Sequence, residues 1–141
     1  MKTLALTIAL LSMAGCAAPA RSPEPVPVDK VECARCRMLV SSEVGAGQIV
    51  SSRQETRFYD DLGCLTADWA HQTKSDSAFG ATATAFVRLT SGWTDARGVW
   101  FAHPAAARTA MGSGLVAYAT VDEARAADRD GQALAWNEVL R

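Results

Sequence analysis

The sequence predicts an α+β fold built from two tandem strand–strand–helix–strand units. Three observations lead there: paired β-prone runs, an apolar helical face directly after them, and the same order met again in the second half. In the first unit, Gln48–Ser52 and Thr56–Tyr59 read as strands joined through Arg53–Gln54–Glu55 as a hairpin. Asp60 is placed to cap the following helix, with Asp61 favourable in its first turn. Leu62, Leu65 and Trp69 fall at i, i+3 and i+7 and give that helix one buried face. It should fray near His71–Lys74; Ser75–Ala83 reads as a loop and Ala85–Leu89 as the closing strand. In the second unit, Val99–Ala102 and Leu115–Ala119 read as strands. Thr120–Val121–Asp122–Glu123 then has the spacing of a capping box. The alanine-rich helix behind it should run to Asp130 and stop at Gly131. Ala133–Trp136 reads as a last strand and Asn137–Leu140 as a terminal turn.

Ahead of the first unit lie two segments of different character. Lys2, the apolar run Leu4–Leu11 and the small residues up to Cys16 form a secretory signal, residues 1–15. The run is about half the length needed to cross a bilayer. Its ending, Met13–Ala14–Gly15–Cys16, resembles a bacterial lipobox and implies cleavage before Cys16 with lipid on its sulfur. The alternative is a plain signal cut near Ala18–Pro19–Ala20. Residues 16–30 carry Pro19, Pro23, Pro25 and Pro27 and read as an extended, poorly packing tether. Residues 31–141 suit one domain.

Composition excludes several functions. The 141 residues carry a formal net charge of −1, with 14 basic against 15 acidic groups and no basic stripe, so nucleic acid is not an expected partner. Phosphate-binding glycine loops and a Gly-x-Ser-x-Gly elbow are absent from the sequence, and Asp60–Asp61 are explained as helix caps. Nothing calls for an enzyme.

The chemistry concentrates in Cys33–Ala34–Arg35–Cys36–Arg37–Met38. With Cys16 lipidated, Cys33, Cys36 and Cys64 enter an oxidising compartment as an odd set, which needs burial or a metal. A Cys36-x-Met38 pair on an extended segment would project thiolate and thioether to the same side. That combination suits Cu(I), whereas thioether is a poor ligand for zinc. Met38 could equally begin the core with Leu39 and Val40. Cys33-x-x-Cys36 lacks the preceding strand and following helix of a redox dithiol, which stays an alternative, as does a zinc-stabilised module. Cys64 on the first helix reads as simply buried. His71 and His103 have no partner spacing. Met111–Gly112–Ser113–Gly114 sets a second thioether on a glycine-rich turn, a third sulfur for the same metal.

These motifs together resemble the NosL family of copper-binding lipoproteins of nitrous oxide reductase assembly. The residues that carry the likeness are Cys16, then Cys33-x-x-Cys36-x-Met38, Phe58–Tyr59–Asp60–Asp61–Leu62–Gly63–Cys64–Leu65, Trp93–Thr94–Asp95–Ala96, and Thr109–Ala110–Met111–Gly112–Ser113–Gly114 leading into Leu115–Val116–Ala117–Tyr118. Arg37 stands where the family pattern usually has Gly, and Ala110 where Pro commonly precedes the second Met. Arg37 would add a positive charge beside the metal. The resemblance implies a fold like part of organomercurial lyase and a copper-binding domain over residues 31–141. It further implies a Cu(I) metallochaperone, not an enzyme, in which Cys36, Met38 and Met111 hold the metal and Cys33 is an additional or transfer ligand. The implied partners are nitrous oxide reductase and its maturation machinery, with a metal-bridged dimer as an alternative to a monomer. The implied location is the periplasmic side of a bacterial membrane; Ala17 rather than Asp after Cys16 leans toward the outer membrane.

Overall fold

A computed structural model describes residues 21–141; the signal and Cys16 lie outside the described residues. The first unit is a four-stranded antiparallel sheet in the order β2-β1-β3-β4, formed by β1 (Gly47–Ser51), β2 (Thr56–Tyr59), β3 (Ala83–Leu89) and β4 (Gly92–Asp95). Gln48 of β1 stands opposite Phe58 on one side and Phe86 on the other. Helix α1 (Leu62–Ser75) runs between β2 and β3 and buries Leu62, Leu65 and Trp69, the predicted face. A short α2 (Phe79–Thr82) follows, with Phe79 edge-on to Trp69 at 5.2 Å.

The second unit repeats this plan with less sheet. Strand β5 (Trp100–Ala102) pairs antiparallel with β6 (Val116–Tyr118), and Phe101 on β5 makes an antiparallel bridge to Leu134 on its other side. Each unit therefore puts its first strand between the second and the third. Helix α3 (Val121–Ala127) opens with the predicted capping box, Thr120 and Glu123 satisfying each other's amides. Trp136, at the start of α4 (Trp136–Val139), packs against Trp69 at 5.5 Å and Phe101 at 5.8 Å, so one aromatic contact set spans both units.

Several expectations are corrected. Asp61, not Asp60, caps α1, accepting from the Gly63 amide at 2.6 Å; Asp60 instead accepts from the Ser41 amide. The loop expected over Ser75–Ala83 contains α2, and β3 begins at Ala83. Helix α3 stops at Ala127 because the Asp128 carboxylate turns to the amides of His103, Asp130 and Gln132. The strand expected over Ala133–Trp136 is one bridge at Leu134, and the terminal turn is part of α4.

The described part of the tether also packs. Val26 is 7 % exposed and belongs to the core. The fully buried Gln48 side chain accepts from the Glu24 amide at 2.8 Å and donates to the Glu24 carbonyl at 2.9 Å. A side-chain amide thus serves this segment as a neighbouring strand would, meeting the one residue that stands between Pro23 and Pro25, which have no amide to offer.

Candidate metal centre

The cysteine stretch is a closed loop. The Cys33 amide donates to the Met38 carbonyl at 2.7 Å, the Arg37 amide to the Cys33 carbonyl at 3.0 Å, and Glu32 bridges to Leu39. Ala34–Cys36 is a turn and Arg37 sits at φ 68°, so the extended geometry expected for Cys36-x-Met38 is not what the chain adopts. The Arg37 side chain forms an exposed ion pair with Glu32 at 2.6 Å, and that carboxylate offsets its charge.

The loop and α1 bring three thiols together. The sulfurs of Cys33, Cys36 and Cys64 all lie within 4.8 Å of one another, with Cys33 and Cys64 buried and Cys36 half-buried. All three are free. Cys64 is buried as expected, but among sulfurs; nothing in its spacing shows this, because contact depends on how the first turn of α1 meets a loop packed against it. The Ala34 amide donates to the Phe58 carbonyl at 2.8 Å and ties that loop to the end of β2.

The thiols are electrostatically unequal. Burial pushes the Cys33 thiol up, but the backbone amides of Cys36, Asp60 and Arg35, with the Cys36 thiol, outweigh it and leave its pKa below the ordinary thiol value. Cys64 is pushed up to about 12, first by burial and then by the charges on Cys33 and Cys36. The two inner thiols are therefore biased in opposite directions, Cys33 toward giving up its proton and Cys64 toward keeping it.

The two thioethers are surface groups, Met38 53 % and Met111 47 % exposed. Met111 stands on a compact turn in which Gly112 and Gly114 adopt φ 71° and 66°, both left-handed, as the glycine-rich pattern requires. This turn is pressed onto the start of α1. A side chain at Gly63 would meet the Ser113 Cβ at 2.5 Å, and the Met111 amide donates to Asp61 at 2.9 Å. His71 is exposed on α1, and the His103 amide is engaged by Asp128; among the described residues neither joins the thiol group. Sequence reasoning missed Asp61 as the connection between Met111 and α1.

The NosL family model matches residues 25–141, beginning within the packed segment that Gln48 holds. The crystal structure of the copper chaperone NosL from Shewanella denitrificans is similar in fold. Its TM-score is 0.64 at 19 % identity, covering 85 % of this chain and 96 % of that one. No curated protein matches the chain. A match over nearly the whole described length, on a shared fold, means that the chain belongs to the NosL family.

Proposed function

We propose that the protein is a Cu(I) metallochaperone, lipid-anchored through Cys16 on the periplasmic side of a bacterial membrane, preferentially the outer one. Its proposed task is to supply copper for the copper–sulfide centre of nitrous oxide reductase. The observation that carries this reading is the three-thiol group within 4.8 Å, one thiol half-buried, in a chain of the NosL family. The similarity in fold to a protein named a copper chaperone supports it. Copper is cargo here, not a resident catalyst, and the residues give no reason to assign an enzymatic step.

Soft thiolate and thioether donors favour Cu(I) among biological cations. Cys36 and Met38 form the accessible part of the proposed site, Met111 contributes a thioether from the second unit, and Cys33 and Cys64 supply the inner sulfurs. Cys36 is the outermost thiol, so an acceptor's ligand would exchange through it while the buried sulfurs hold the ion. The placement of Cys64 also favours a second reading, in which the three thiols take Zn(II) with a fourth donor from outside the group.

The test is anaerobic loading of the full chain followed by X-ray absorption at the copper edge and metal analysis. Sulfur neighbours are expected, and Cys36→Ser should lower Cu(I) affinity by more than about 100-fold, since even residues that only orient ligands cost 10–100-fold. Oxygen and nitrogen neighbours alone, or unchanged affinity in Cys36→Ser, would remove the copper assignment. Stoichiometric zinc that copper does not displace would select the second reading.

A further inference from the structure

We infer that Asp61 is a positioning residue for the metal site, holding the turn that bears the Met111 thioether against the helix that bears Cys64. The inference rests on the copper reading and deepens it.

Asp61 is fully buried, and its two oxygens work in opposite directions. Oδ1 accepts from the Gly63 amide at 2.6 Å and caps α1, fixing the turn in which Cys64 sits. Oδ2 accepts from the Met111 amide at 2.9 Å, across fifty positions of sequence. The hydroxyls of Thr109 and Ser113 contact each other at 3.3 Å, and Thr109 accepts from the Gly114 amide at 3.0 Å, so the turn is closed by its own hydroxyls. Gly63 lets this turn approach the helix, because a Cβ there would collide with Ser113.

A helix cap needs one acceptor oxygen, and serine or asparagine would supply it. The second oxygen has no role in the helix. What it secures is the backbone of Met111, an exposed side chain on a glycine-rich turn that otherwise has little apolar packing to fix it. A thioether is a weak ligand, and its contribution depends on being held in place before the ion arrives.

Two substitutions separate the roles. Asp61→Ser keeps a cap but cannot reach Met111. Asp61→Asn offers one acceptor oxygen where two amides need one each. Cu(I) affinity, measured by chelator competition on the full chain in detergent, should fall about 10–100-fold in both. The loss should match that of Met111→Leu and should not grow when the two changes are combined. Selenomethionine-labelled protein should lose one copper–selenium neighbour in the Asp61 variants, as it does in Met111→Leu. An intact selenium count in folded Asp61→Asn, or additive losses, overturns the inference alone. If Met111→Leu changes neither affinity nor selenium count, the assignment of Met111 as ligand falls and the inference with it. Amide exchange in the unsubstituted protein gives a reading independent of any variant: the Met111 amide should be protected like core amides, and free exchange would overturn the inference.

Discussion

Arg37 holds φ 68°, a left-handed conformation that costs a side-chain-bearing residue about 1 kcal/mol relative to glycine. The position needs it because the loop must turn between Cys36 and Met38 to return the Met38 carbonyl to the Cys33 amide. This gives a physical reason for the glycine that the family pattern usually has there. Replacing Arg37 by Ala or by Gly removes the Glu32 ion pair equally, and that pair is exposed and worth little. The difference between the two variants isolates the backbone cost. Denaturant unfolding should find Arg37→Gly more stable than Arg37→Ala by about 1 kcal/mol. Equal stability would show that the loop relaxes out of the left-handed region. The site was legible at this scale only as far as local spacing reaches. Cys33, Cys36 and Met38 announce themselves by proximity, whereas Cys64 has apolar neighbours and looks like any buried thiol. Asp60 and Asp61 are the same residue side by side; which one caps is decided by the register in which α1 meets the loop at Ser41.

The elements that sequence pattern found are those with a local cause. β2 follows its β-prone run, α1 its apolar face, and α3 its capping box. The elements it missed are held by neighbours. β4 exists because β3 has a free edge, and its four residues are all half-buried, so they show no alternation to read. The prolines before residue 30 predict an extended, poorly packing spacer, yet one buried side chain on β1 supplies hydrogen bonds to both the Glu24 amide and carbonyl. That arrangement predicts a local failure. Gln48→Ala leaves the Glu24 amide and carbonyl unpaired next to a cavity and should cost about 1–3 kcal/mol. It should also release the segment ahead of Val26. Limited proteolysis is expected to cut the variant between residues 21 and 26 well before the rest of the domain unfolds, while the parent chain resists. Equal cleavage of both would mean that burial of Val26, and not the amide pair, holds the segment.

At the scale of the whole molecule, the two units are joined by contacts of opposite chemistry. One joint is apolar, Trp136 between Trp69 and Phe101. The other is polar, the Asp61 carboxylate taking donors from both units. Only the second responds to acid. Burial pushes the Asp61 carboxyl up, but Ser113, Thr109 and the amides of Met111 and Gly63 outweigh it and hold the pKa below the ordinary carboxylate value. The unfolded chain takes up this proton near pH 3.9, while the folded chain resists it to lower pH. The stabilisation is therefore fully present above about pH 4 and is lost as pH falls from there through the lower folded value. Asp128 is lowered too, chiefly by the His103, Gln132 and Asp130 amides, and adds to the same acid limb from outside the joint. The metal-free protein should show a nearly constant Tm between pH 7 and 5 and a falling one below about 4. Asp61→Asn should begin with a lower Tm at pH 7 and lose less of it in acid, because its share of the limb is gone and that of Asp128 remains. Tryptophan fluorescence separates the joints once Trp93 and Trp100 are replaced by Phe, since the remaining Trp69 and Trp136 form the apolar contact. If Asp61→Asn retains the full acid limb of the parent, the polar joint contributes nothing to holding the units together, and the Cys64 helix and the Met111 turn would then be held in register by the aromatic contact alone.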